Sequence, residues 1–163
     1  MCDEHMTDFY LSEPPGAERT RPRKPSEARS AVRRAVAERC RATPIPCDAD
    51  ALSDVLLVAS ELTSNAILHG GGVTDFQVDV DGARVRVSVS DRSDRLPVAV
   101  PRTDPQGRTR HGGHGWPIVC RLSRDVRVSD LPAGGKCITA VVPLVRQAVD
   151  PVDPSRHPSP GRP

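Results

Sequence analysis

LSDVLLVASELTSNAILHG, residues 52–70, is the stretch from which the rest of the chain can be read. At about 100° per residue, Leu52, Val55, Leu56, Ala59, Leu62, Ala66 and Ile67 fall on one broad arc, the apolar stripe of an amphipathic helix. Glu61, Asn65 and His69 follow at i, i+4 and i+8, so they line up on one face beside that stripe. A carboxylate, an amide and an imidazole in register form either a solvated polar face or a set of groups that act on one ligand. The ending favours the ligand. His69 is followed by Gly70, Gly71 and Gly72, which stop the helix and leave backbone room beside the polar face.

Upstream, Ser26 is the expected N-cap of a first helix whose apolar positions Ala28, Ala31, Val32, Ala35, Val36 and Cys40 repeat at helical spacing. Arg29, Arg33, Arg34 and Arg41 cover its other side, where Glu27 and Glu38 interrupt the positive field, so a solvated face is expected there. Thr43-Pro44-Ile45-Pro46 ends this helix, and Asp48 or Asp50 caps the central one. Downstream, Phe76, Val78 and Val80 alternate with polar residues, Asp81-Gly82 gives a two-residue hairpin signal, and Val85, Val87 and Val89 alternate again. Residues 92–112 are rich in Pro, Arg and Gly, a long loop of the kind that works on something. A short helix over Ile118 to Leu122 with Pro117 near its first turn follows, then a strand around Val126 and Val128, and a last strand from Lys136 to Pro143.

The expected order of helix, helix, strand, strand, loop, helix, strand, strand implies an α+β fold. It is a two-layer sandwich, with a mixed, mainly antiparallel sheet covered on one face by helices. A mobile segment is expected over 1–25, with a short edge strand between Arg19 and Arg23, then one domain over 26–144 and a Pro-rich disordered tail over 145–163. No GxxxxGK follows a strand, which excludes a P-loop.

Two further places suit a nucleotide. Asp91 ends the second hairpin strand, where an acceptor-only carboxylate either takes a hydrogen bond from an adenine amino group or simply starts a turn. Gly112-Gly113-His114-Gly115 ahead of a helix sets small residues and free N–H groups at a positive dipole end, a seat for phosphate oxygens. His111 and His114, with Cys120 or His69, lack the further ligands at zinc spacing, so no metal centre of that kind is expected.

Glu61-Leu62-x-x-Asn65-Ala66-x-x-His69-Gly70 resembles the N box of the histidine-kinase-like (GHKL, Bergerat-fold) ATPase superfamily, and more narrowly that of the bacterial anti-sigma regulatory factors of serine/threonine-kinase type. Asp91-Arg92-Ser93 resembles the first glycine box, with Ser93 where the family has Gly. Gly113-His114-Gly115 resembles the second, with an unusual Pro117 after it. Gly134-Gly135-Lys136 resembles a third motif that often continues with Thr where this chain has Cys137, which implies that a usual hydrogen bond near the base is missing. The resemblance covers about Ser26 to Leu144. It implies ATP and Mg²⁺ as cofactors, with Asn65 holding Mg²⁺ against the phosphates, Glu61 as general base, Asp91 at the base and Gly113 and Gly115 at the phosphates. His69, at the helix end, is expected to pair with carbonyls or phosphate.

The totals fit this picture. The 163 residues are 27% charged with a formal net charge of +2, too small to imply a nucleic-acid partner. Aromatic residues, at 2%, are too few for base-stacking platforms. No run of eighteen apolar residues and no basic-then-apolar leader is present, and the five cysteines are scattered without C-x-x-C, so a cytoplasmic protein with reduced thiols and no membrane contact is expected. The resemblance implies a kinase acting on a STAS-type anti-sigma-factor antagonist, a sigma factor as second partner, and a possible homodimer. The alternative is a non-catalytic module that holds a sigma factor or antagonist with ATP as a structural or regulatory ligand.

Overall fold

The computed structural model describes residues 17–97 and 115–145. In chain order these form β1 (Glu18–Thr20), α1 (Pro25–Ala42), α2 (Ala49–His69), β2 (Val73–Asp81), β3 (Arg84–Asp91), α3 (Gly115–Leu122), β4 (Asp125–Asp130) and β5 (Lys136–Pro143). The strands make one sheet in the order β1-β2-β3-β5-β4, antiparallel at every described pairing. The alternating valines explain which side is covered. Phe76 and Val78 on β2, Val85, Val87 and Val89 on β3, and Ile138, Ala140 and Val142 on β5 are buried under the helices, while Gln77, Arg86, Ser88 and Thr139 take the open face.

The apolar arc of α2 lies at the centre of this core. Val55, Leu56, Ala59, Leu62 and Ala66 are buried as their spacing requires, joined by Val58 and Thr63 on its flanks. Leu52 and Ile67 are only partly covered, Leu52 in the first turn of the helix and Ile67 at the edge of the arc. The helix is long and apolar enough to cross a bilayer, yet its apolar side is packed against the sheet and α1. Asp48 caps it, its Oδ1 accepting the Asp50 N–H at 3.1 Å.

Several local expectations shift by a residue or two for identifiable reasons. Ser26 is not the cap of α1. Pro25, with φ suited to a first helical residue, starts the helix, Lys24 takes the cap position without a side-chain bond, and the Glu27 carboxylate accepts the Arg23 N–H at 2.7 Å. The hairpin turn is Gly82-Ala83, since Asp81 pairs with Arg84 and Gly82 alone has φ of +54°, the arrangement of a turn with Gly first. The edge strand begins at Glu18, earlier than the Arg19–Arg23 estimate, and Arg34 of α1 pairs with Glu18 to hold it. α3 starts at Gly115, so Pro117 falls in the first turn, where a missing N–H costs no intrahelical bond.

Leu62 is 1% exposed and Leu68 is 72% exposed. Leu62→Ala should therefore lower the unfolding free energy by about 2–5 kcal/mol, and Leu68→Ala should stay within about 0.5 kcal/mol of the wild type. Urea unfolding followed by far-UV circular dichroism measures both.

Candidate functional site

The end of α2 lies directly on the end of β3. A Cβ on Gly70 would fall 2.6 Å from the Cβ of Asp91, so no larger residue fits there. The Gly70 φ of −103° is open to any residue, so contact and not backbone shape demands glycine. Gly70 accepts the Arg92 N–H at 2.9 Å, and the Arg92 guanidinium donates to the Gly71 carbonyl at 3.0 Å. The stop signal after His69 thus joins the helix to the strand end that carries Asp91.

Asp91 is 4% exposed and makes a buried ion pair with Lys136, Nζ to Oδ1 at 2.9 Å. The two are opposite one another in the β3–β5 register. The same Oδ1 accepts the Ser93 N–H at 2.8 Å, and Lys136 Nζ also donates to the Ser93 carbonyl at 3.0 Å. Asp94 Oδ1 accepts the Gly135 N–H at 2.7 Å, tying the strand-end loop to the turn before β5. Gly135, with φ of +87°, lies so close to this loop that a Cβ would come within 3.0 Å of the Arg92 Cα. The carboxylate is therefore rigidly aimed, and among the described residues its Oδ2 accepts no hydrogen bond.

Glu61 marks the other end. A Cβ on Gly115 would overlap Glu61 Oε2 and lie 3.2 Å from its Cδ, so the carboxylate rests on the first residue of α3. That is the positive end of a helix, favourable for an anion. Asn65 lies one turn further along α2 and is half-buried, and His69 lies another turn on and is exposed. Among the described residues Glu61, Asn65 and His69 have no hydrogen-bonded or ionic partner, so their polar atoms are available. From Glu61 to Gly70 is roughly 13 Å of helix at 1.5 Å per residue, a span suited to an extended nucleoside triphosphate with its base at Asp91.

The structure thus puts Glu61, Asn65, His69 and Gly115 along one side of α2 and Asp91 at its end. Gly113, His111 and His114 lie outside the described residues. The expectation attached to Cys137 needs correction. It pairs with Ser90 and shares the open face with Thr139, while the residue facing Asp91 on the helix side is Lys136. Lys136 and Asp94 are the site residues that motif spacing missed. The available signal was strand alternation, since Lys136 has the same parity as Ile138, Ala140 and Val142. A groove on the open face, bordered by Asp79, Arg84, Arg124 and Asp125, contains none of the candidate residues.

Gly70→Ala should lower stability by about 1–3 kcal/mol, because the added methyl meets a pinned side chain. Thermal unfolding of the variant, with no ligand added, measures it.

Among curated proteins none is significantly similar to this chain. The family model described as histidine kinase-like ATPase domain matches residues 22–142, which include α1, α2, α3, β2 to β4 and all but the last residue of β5. The antiparallel sheet covered on one face by helices agrees with that match. The chain belongs to the histidine kinase-like ATPase domain family and carries the ATP-binding fold of that family.

Proposed function

We propose that this domain is an anti-sigma regulatory protein with serine/threonine kinase activity, phosphorylating a STAS-type antagonist and holding a sigma factor as its alternative partner. The observation that carries the catalytic part is the Glu61 carboxylate. It is unpaired among the described residues, lies at the N-terminus of α3 and precedes Asn65 by one turn. The residues fit ATP. Asp91 Oδ2 offers an acceptor to the 6-amino group, the N-terminus of α3 beside Glu61 is a positive helix end of the kind that favours phosphate, and the Asn65 amide oxygen suits a hard cation such as Mg²⁺.

When bound, Mg·ATP supplies the phosphoryl group and the charge neutralisation. Glu61 takes the proton from the attacking serine or threonine hydroxyl as its oxygen bonds to the γ-phosphorus, and ADP leaves with the electron pair of the broken P–O bond. Such transfer depends mainly on positioning and charge, so one base and one Asn-held cation suffice. Ser93 keeps the turn at a negative φ and its Oγ accepts the Arg95 N–H at 3.2 Å. A cytoplasmic location, a homodimer and the absence of direct DNA or membrane contact belong to the same proposal.

Asn65→Ala should remove the Mg²⁺-dependent part of ATP affinity, read by calorimetry with and without the cation; an unchanged Mg²⁺ dependence would refute its assigned role. Glu61→Gln keeps the shape and removes the base. It should leave ATP and partner binding within about 1 kcal/mol while phosphotransfer to a STAS-domain partner falls by about 10²-fold or more. Labelled ATP and mapping of the modified residue give the readout. A wild-type protein that binds ATP and a sigma factor yet labels no antagonist supports the non-catalytic binding module instead.

A further inference from the structure

The side chains of β3 and β5 that face the helices form an apolar ladder from Val85 opposite Val142 to Val89 opposite Ile138, and the ladder ends in a charged rung, Asp91 opposite Lys136. Lys136 has a side chain 7% exposed. Its ammonium carries three N–H donors. One goes to Asp91 Oδ1 at 2.9 Å and one to the Ser93 carbonyl at 3.0 Å, and among the described residues the third has no acceptor. Asp91 has the matching remainder, since Oδ1 takes both the Lys136 ammonium and the Ser93 N–H while Oδ2 takes nothing among the described residues. A buried ion pair that serves stability alone needs its remaining donors and acceptors satisfied. This one keeps one donor and one acceptor without a partner among the described residues, on two side chains that face each other across the β3–β5 rung.

We propose that Lys136 is a second base-reading residue, its third N–H donating to N1 of adenine while Asp91 Oδ2 accepts from the 6-amino group. The proposal rests on the site being an adenine-nucleotide site and names how its base is selected. The Watson–Crick edge of adenine carries a donor at position 6 beside an acceptor at position 1, the complement of this carboxylate–ammonium pair. Hypoxanthine and guanine carry the reverse order, an oxygen at position 6 and an N–H at position 1. They would set oxygen against carboxylate and N–H against ammonium, leaving buried polar groups unpaired. A hydroxyl at position 136 would donate or accept as required, but an ammonium can only donate. Lys136 thus makes the choice of base stricter than Asp91 alone would.

The test is calorimetry on the full chain with ATP, 1-deaza-ATP, 7-deaza-ATP, purine riboside triphosphate and ITP, all with Mg²⁺. In 1-deaza-ATP a C–H replaces N1, so its affinity should fall by about tenfold or more, the scale of one hydrogen bond to a charged group. The 7-deaza analogue should bind like ATP, and ITP more weakly than either. Lys136→Met should bind ATP and 1-deaza-ATP equally; if that variant fails to fold, the wild-type series decides alone. Equal binding of ATP and 1-deaza-ATP by the wild type overturns the role of Lys136, as does a 1-deaza penalty that survives in Lys136→Met. If purine riboside triphosphate, which lacks the 6-amino group, is still weakened, the Asp91 adenine site stands without Lys136. If ATP itself does not bind, the site and the proposal fall together.

Discussion

The contact on which the site depends is between a glycine and a buried aspartate. Gly70 lies against the side chain of Asp91, and this close approach sets α2 over the end of β3 at a distance no other residue would allow. Two further links act on the same few atoms. The Arg92 N–H bonds to the Gly70 carbonyl, and Lys136 holds Asp91 from the neighbouring strand. Helix end, strand end and the turn before β5 are thereby fixed to one another. An ordinary surface loop would leave a carboxylate at this position free to rotate. Here it is oriented before any ligand arrives, which lowers the ordering cost of binding.

Much of this could be read from residue patterns, because a long helix and alternating strands are written in period. The arc from Leu52 to Ala66 and the valines of β2 and β3 each obey one geometric rule over several repeats, and the fold reproduces them. The polar face of α2 was legible for the same reason, as was Asp91 at a strand end. The ends of elements were less so. Ser26 looked like a cap, but a proline one residue earlier can start a helix by itself, and a glutamate can take the backbone bond that a serine would. Asp81-Gly82 looked like the turn, but glycine took its first position in place of its second.

The roles of Lys136 and Cys137 were hidden for a different reason. A motif aligned by letter assigns importance by position in a string, whereas a strand sends neighbouring residues to opposite faces. Cys137, the departure that seemed to bear on the base, points away from it, and Lys136, read only as the start of the last strand, is buried against Asp91. Asp94 was invisible for a related reason, since its partner Gly135 is 41 residues distant. Long-range pairing of this kind follows from register, and register becomes visible only when the strands are placed side by side.

The shortest strand has a consequence out of proportion to its size. β1 has three residues, and it covers only Phe76 to Val78 on the outer rim of the nine-residue β2. Without it, a long strand of alternating valines would present its unpaired backbone to solution, a template onto which another chain can add. Arg19 reaches across to Asp75, and Arg34 anchors Glu18, so the cover is fastened from both the sheet and the helix layer. The family match begins at residue 22, just beyond this strand. A fragment cut at that boundary would lose this guard and leave the outer edge of β2 open to pairing with another chain.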